Sequence, residues 1–394
     1  MPEGAALGKP VTLAPCEYID TQAGWDRCVA LFHQAPAVAI DLEANSLFAY
    51  REQVCLLQFS TATADYIVDP LAGIDLAALG DLLADPNVEK VFHASEYDLM
   101  LLKRDHEWGI RNLFDTMWAA RILGYKNMGL AWFLREFYGV EVSKKYQKAN
   151  WAARPLSPDL LAYAQTDTHY LLRLRDDLSA LLEKAGCMEE AREIFAHQAE
   201  VRLPDQGFDP EGFWAIRGAR DLSLEQMAIL KALYFFRDEE ARRRNQPAFK
   251  VINNEALVSM AKECPKTDQA LAAIRGIGPR NLERYGAQLL RVIRNARKDP
   301  PPQRPARKPR QDPRVLDRYE RLSQWRKERA VARGVESDVI ISRETMWSIA
   351  RDNPNSLDAL ARINGIGPQR LNLHGEEILG ELTEEEIAPS PEGA

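Results

Sequence analysis

The chain has 394 residues, 46% of them hydrophobic and 28% charged, which is too long for one compact core and suits a soluble protein of two or three domains. No run of 18 apolar residues occurs, so no membrane span is expected, and the first ten residues lack the basic and apolar regions of a secretory signal. The five cysteines are scattered without a metal-ligand or disulfide-framework spacing, which points to a reducing, cytoplasmic setting. The net charge of −7 argues against a nucleic-acid binder until its distribution is read. Residues 1–205 hold 19 Lys and Arg against 30 Asp and Glu, whereas residues 206–375 hold 32 against 21, and the last 19 residues add seven Glu. An acidic half followed by a basic half suits a metal-binding catalytic domain joined to a phosphate-binding one, although two unrelated domains with ordinary surfaces would look the same.

Apolar runs at Val38–Ile40, Val54–Phe59 and Tyr66–Val68, separated by turn-like residues, read as three successive strands. Leu76–Leu83 reads as a helix, Val91-Phe92 as a further strand, and the chain from Asp115 onward as mostly helical. This order predicts a mixed α/β sheet domain. In the first run Asp41 and Glu43 stand two apart, so a strand projects both from one face. A divalent cation would relieve their repulsion, but a strand end with both acids facing water fits the pair equally well. Asp98 falls in the first turn of a helix entered from the Val91-Phe92 strand, a place where an acid also serves the helix dipole.

Ser157-Pro158 reads as a helix N-cap followed by proline, opening a helix from Asp159 to about Leu182. Asp167 lies on its apolar face, four residues after Tyr163 and four before Leu171. No Lys or Arg stands within a turn of Asp167, so the aspartate needs a metal or a basic partner from elsewhere.

Beyond about Gly207 strand signals vanish, and Ser223 to Gln226 has capping-box spacing. Residues 299–313, with six prolines and four basic residues (Arg304, Arg307, Lys308 and Arg310), read as a stiff basic linker. The linker separates two copies of one unit: residues 236–282 align without a gap on 325–371 with 18 identities in 47 positions. Gly276-Ile277-Gly278-Pro279 falls on Gly365-Ile366-Gly367-Pro368. Such a hairpin lets backbone N–H groups approach a phosphate at a helix start, and it also suits a tight turn that needs glycine.

The order Asp-x-Glu, Asp, then Tyr-x-x-x-Asp resembles the exonucleases named for their four acidic residues, in the tyrosine branch. The stretches AIDLEANS, LLQFST, FHASEYDL, LFDTMWAARILGY and NWAARPLSPDLLAYAQTDTHYLL are similar to the ribonuclease D family. The repeated unit resembles the helicase and ribonuclease D C-terminal (HRDC) domain. One departure is His93, where the wider superfamily often has asparagine.

The resemblance implies a ribonuclease-H-like exonuclease domain over residues 1–207, HRDC domains over 215–298 and 314–388, the linker at 299–313 and a tail at 389–394. It implies that Asp41, Glu43, Asp98 and Asp167 hold two divalent cations, Mg²⁺ or Mn²⁺, for in-line displacement at phosphorus, and that Tyr163 orients or helps deprotonate the attacking water. The implied activity is 3′–5′ removal of nucleoside 5′-monophosphates from RNA, with transfer-RNA precursors as substrates and no obligate protein partner. A DNA exonuclease of the Werner type shares these motifs, and a non-catalytic RNA-binding protein would lack a reason to keep the four acids and Tyr163.

Further candidates for nucleic-acid contact are His93, Gln58, Lys148 with its neighbours Lys144 and Lys145, and the hairpin glycines Gly276, Gly278, Gly365 and Gly367. His93 and Gln58 fit a structural hydrogen-bonding role as well, and the lysines a solvated run. Asp115 reads as a helix cap and Trp151 as core.

Overall fold

A computed structural model of the chain describes residues 13, 15–200, 203, 207–305 and 311–383. The expected tail and the linker residues Arg307, Lys308 and Arg310 lie outside the described residues.

The N-terminal domain is built on one mixed sheet. Its strands are β1 (Glu17–Ile19), β2 (Ala37–Ala44), β3 (Val54–Ser60), β4 (Asp65–Val68), β5 (Glu89–Phe92) and β6 (Leu113–Asp115), in the order β1-β4-β3-β2-β5-β6. β2 and β3, and β3 and β4, run antiparallel, while β1–β4, β2–β5 and β5–β6 are parallel. The helices of this domain are α1 (Gln22–Phe32), α2 (Ala77–Ala84), α3 (Glu96–His106), α4 (Thr116–Ile122), α5 (Leu130–Tyr138), α6 (Pro158–His169), α7 (Leu171–Ala185) and α8 (Met188–Gln198).

The four runs read as strands are β2 to β5, and the helix read at Leu76–Leu83 is α2. The edge strands β1 and β6 and the helix α1 were not legible. β1 and β6 span three residues each, too short to show a period of two, and pair along one side only. The helix expected from Asp159 to Leu182 is two helices, broken at Tyr170. The break has a packing cause. His169 turns to Asp65, Tyr170 stacks on Tyr138 at 5.9 Å, and the two helices serve different clusters. α6 lies over β3, β4 and β2, whereas α7 packs Leu171, Leu174, Leu178 and Leu182 against Phe114, Ala119 and Phe195.

The period of two along β2 separates two chemistries. Val38, Ile40 and Leu42 point into an aliphatic and aromatic core with Trp25, Phe32, Leu57, Phe59 and Leu102. Ala37, Ala39, Asp41 and Glu43 point to the opposite face, where small alanines leave room for α7 and the acids meet α6. Burial of the first face anchors the strand, so the carboxylates sit on rigid backbone rather than on a loop.

After residue 207 the described chain is helical. The first copy of the repeated unit contains α9 (Leu224–Arg243), α10 (Ala248–Val251), α11 (Asn254–Glu263), α12 (Asp268–Ala272) and α13 (Pro279–Ala296). The second contains α14 (Pro313–Arg333), α15 (Ser337–Ile340), α16 (Arg343–Asp352), α17 (Leu357–Leu360) and α18 (Pro368–Leu382). Ser223 opens α9 with the full capping box, its side chain taking the Gln226 N–H and the Gln226 side chain taking the Ser223 N–H. Each copy has its own apolar core, around Leu233, Leu257 and Leu289 in the first and Leu322, Ile349 and Ile378 in the second.

Candidate active site

α6 carries Asp167 over the polar face of β2, and one ligand atom from each of Asp41, Glu43 and Asp167 lies within 4.8 Å of the others. Among the described residues no Lys or Arg forms an ion pair with any of these three or with Asp98, which α3 presents from its first turn at only 7% exposure. Burial pushes the Asp41 carboxyl up to about 7. Burial, with the charges of Asp41, Asp167 and Asp98 adding, pushes Glu43 up to about 10. Asp98 is held well above the usual carboxylate range by burial, then by Asp41 and Asp115, and Asp167 likewise by burial and Asp41. Asp41, Glu43 and Asp167 form a donor set that fits divalent metal, because cations would remove both the desolvation and the repulsion, while Asp98 lies outside that group of three and adds its charge to Glu43.

The position of Asp98 depends on Asp115. This fully buried carboxylate caps α4 through the N–H groups of Met117 and Trp118, at 2.9 and 3.2 Å. It also accepts the N–H groups of Ala94 and Ser95, at 3.1 and 2.8 Å, and the Ser95 hydroxyl at 2.8 Å. Asp115 is therefore a cap, as read, and a clamp on the turn that swings the chain from β5 into α3. His93 in that turn lies 2.9 Å from the Thr116 hydroxyl through Nδ1, and its burial lowers its pKa.

Tyr163, one turn before Asp167 on α6, is half-buried between Tyr146 and Trp151, with ring centroids at 5.9 and 6.1 Å. Burial and the charges of Asp167, Glu43 and Asp41 hold its phenol well above its ordinary value, while the Gln147 side chain hydrogen-bonds to it. Gln147 gave no signal in the sequence, since a lone exposed glutamine in a loop looks like any other. Trp151 is core, 1% exposed. Lys148 is exposed on the same segment. Gln58 pairs across the ladder with Asp41, so its side chain shares the acidic face; it is fully buried, and its amide N and O have no protein partner.

Two networks, one holding α6 and the other the loop before it, were not legible. Asp65 on β4 accepts from Gln165 at 2.7 Å and lies 2.7 Å from His169 Nδ1, while the Ser60 hydroxyl donates to Thr168 at 2.8 Å. Arg154 grips Asp69 through two N–H groups at 2.6 Å and donates to the Cys55 and Trp151 carbonyls. Each network joins residues about 100 positions apart, beyond the reach of local pattern.

The two Gly-Ile-Gly-Pro hairpins both need glycine for the turn, with φ of 96° at Gly276 and 88° at Gly365. Their surroundings differ. A side chain at Gly278 would meet nothing within 4 Å, whereas one at Gly367 would strike the Glu193 carboxylate of α8. Glu193 accepts the N–H groups of Gln369 and Arg370, at 2.7 and 3.3 Å. The second copy is further fastened to the nuclease domain by Arg333, which grips the buried Glu190 at 2.7 and 2.8 Å, and by Arg121 with Glu336 and Asp338. The first copy meets the loop after Glu43, where the Tyr50 hydroxyl donates to Asp238 at 2.8 Å.

Residues 16–183 match the 3′–5′ exonuclease family, and residues 226–293 and 315–382 match the HRDC domain. Exosome complex component 10 of Rattus norvegicus is 31% identical over 305 residues, covering 75% of this chain and 34% of the relative. The chain thus spans about a third of the length of the curated relatives it matches. The catalytic core of RRP6 from Trypanosoma brucei superposes with a TM-score of 0.66 at 28% identity, covering 74% of this chain and 83% of that one. Escherichia coli RNase D, described as an exoribonuclease involved in structured RNA processing, superposes with a TM-score of 0.63 at 25% identity, covering 94% and 99%. No helix among the described residues is long and apolar enough to cross a membrane. The chain thus carries a 3′–5′ exonuclease domain followed by two HRDC domains.

Proposed function

We propose that the chain is a 3′–5′ exoribonuclease that hydrolyses RNA from its 3′ end and releases nucleoside 5′-monophosphates. The observation that carries this reading is the meeting of Asp41, Glu43 and Asp167 within 4.8 Å on a rigid strand and helix. Asp98 completes the set of four acids that would hold two divalent cations, Mg²⁺ or Mn²⁺. Such cations would supply charge that lowers the pKa of an attacking water and steadies the departing 3′-oxygen. The carboxylates orient that chemistry from fixed backbone, and the aliphatic face of β2 keeps the backbone in place. Tyr163, one turn before Asp167 on α6, would place its hydroxyl on the attacking water and orient it or help take its proton.

The substrate class rests on the likeness to ribonuclease D and RRP6, and we extend it to transfer-RNA precursors in a reducing, cytoplasmic setting. The five free cysteines support that setting. The test is incubation with 3′-end-labelled structured RNA and the matching DNA, with Mg²⁺, with Mn²⁺ and in chelator. Stepwise release of 5′-monophosphates from RNA in metal only is expected. Cleavage that persists in chelator, or that is confined to DNA, would overturn the reading.

A further inference from the structure

The duplication offers an internal comparison. α13 and α18 start at equivalent prolines, so their positions correspond by register. On α13, Arg280, Arg284, Arg291 and Arg294 are all exposed, and none forms an ion pair among the described residues. At about 100° per residue the four fall within an arc of roughly 80°, so they form one stripe about 21 Å long on the solvent side of the helix. The opposite side of α13 buries Tyr285, Leu289 and Ile293, which keeps the stripe turned outward. An unpaired row of guanidinium groups repels itself unless an anion lies along it.

The second copy carries no member of the row. The equivalent positions are Gln369, Leu373, Gly380 and Thr383. α13 carries four Arg and one Glu, whereas α18 carries one Arg and three Glu. The single arginine of α18, Arg370, is buried and donates to the Ile340, Gly365 and Val339 carbonyls. At the head of α18 the seat for an anion is already taken by the Glu193 carboxylate.

We propose that the two copies have divided their roles: the first takes the RNA backbone along the arginine stripe of α13, and the second is a brace whose hairpin holds a protein carboxylate where a phosphate would otherwise sit. The stripe reads charge and spacing, not base identity, so it serves any RNA whose 3′ end enters the site. The first copy also packs on the loop that follows Glu43, which joins the stripe's domain directly to the strand of the acidic cluster.

The inference rests on the exoribonuclease reading and is tested with the full chain, in chelator so that no cleavage occurs. Binding of a fluorescent structured RNA with a single-stranded 3′ tail is measured against salt for the wild type, for R284A/R291A, and for R351A/R362A, which removes equal charge from exposed positions of the second copy. With a slope of roughly −0.7 per phosphate contact on single strands, R284A/R291A should flatten the salt dependence by about 1.4 and weaken binding at 0.1 M salt by on the order of tenfold or more. R351A/R362A should match the wild type. Equal losses in the two variants, or none in R284A/R291A, overturn the proposal. Turnover of a short oligonucleotide in Mg²⁺ should be the same in R351A/R362A as in the wild type. If even the wild type cleaves no RNA, the nuclease reading falls, while the binding comparison still decides the stripe.

Discussion

The Asp115 carboxylate takes both the backbone N–H and the hydroxyl of Ser95, each at 2.8 Å, and by that clamp holds the turn that delivers Asp98. Replacing it by alanine strands buried donors from Ala94, Ser95, Met117 and Trp118 and removes the cap of α4. Asp115→Ala should cost about 2–4 kcal/mol in urea unfolding and lower turnover together with metal affinity. An unchanged unfolding midpoint would mean that the clamp is dispensable.

The acidic cluster makes the metal-free protein sensitive to pH. Asp41 titrates near 7 in the folded state against 3.8 as its ordinary value, so folding favours its protonated form. The contribution to stability is fully present below pH 3.8 and is lost as pH rises through about 7. In chelator the melting temperature should therefore fall between pH 5 and 8 by roughly a few degrees, and saturating Mg²⁺ should flatten that fall. Asp41→Asn and Asp167→Asn should melt no lower than the wild type in chelator yet release no nucleotide in Mg²⁺. A large drop in melting temperature for either variant would make the acids structural.

Tyr163→Phe keeps the ring that packs between Tyr146 and Trp151 and removes only the hydroxyl. It should lower kcat by about 10²–10⁴, with RNA affinity and melting temperature little changed. Turnover within a factor of two or so of the wild type would reduce Tyr163 to packing.

Arg333 and Glu190 form the ion pair that ties α14 to α8, and the Glu190 side chain is only 6% exposed. Arg333→Met leaves a buried carboxylate unpaired and should cost about 3 kcal/mol of docking free energy. The second helical domain should then be released earlier on heating and be cut faster by protease in the segment before α14. Pairing Arg333→Met with Glu190→Gln should recover part of the loss, and strictly additive effects of the two changes would show that the pair is uncoupled. Cleavage of short oligonucleotides should not respond to any of these changes.

Local pattern carried the central strands, because β2 to β4 are long enough to show apolar runs bounded by turns. It also carried the caps, because Ser157, Ser223 and Asp115 each need only a neighbour within three residues. The duplication was legible for a different reason, since an ungapped match of 47 positions needs no geometry to be seen. The split of one expected helix into α6 and α7 was not, since the apolar period continues across Tyr170 and only the partners of His169 and Tyr170 break it.

The sequence by itself determined which side chains are available: two acids of one parity on a strand, an acid in a first helical turn, and a tyrosine one turn before another acid. Those are relations between near neighbours, set by the periods of strand and helix. Only the tertiary structure decided that Asp41, Glu43 and Asp167 share one space, and that Glu193 rather than solvent meets the hairpin at Gly367. Both depend on the close approach of elements far apart in the chain. That approach is governed by which faces bury apolar area and which buried carboxylates find donors, and no local spacing records it.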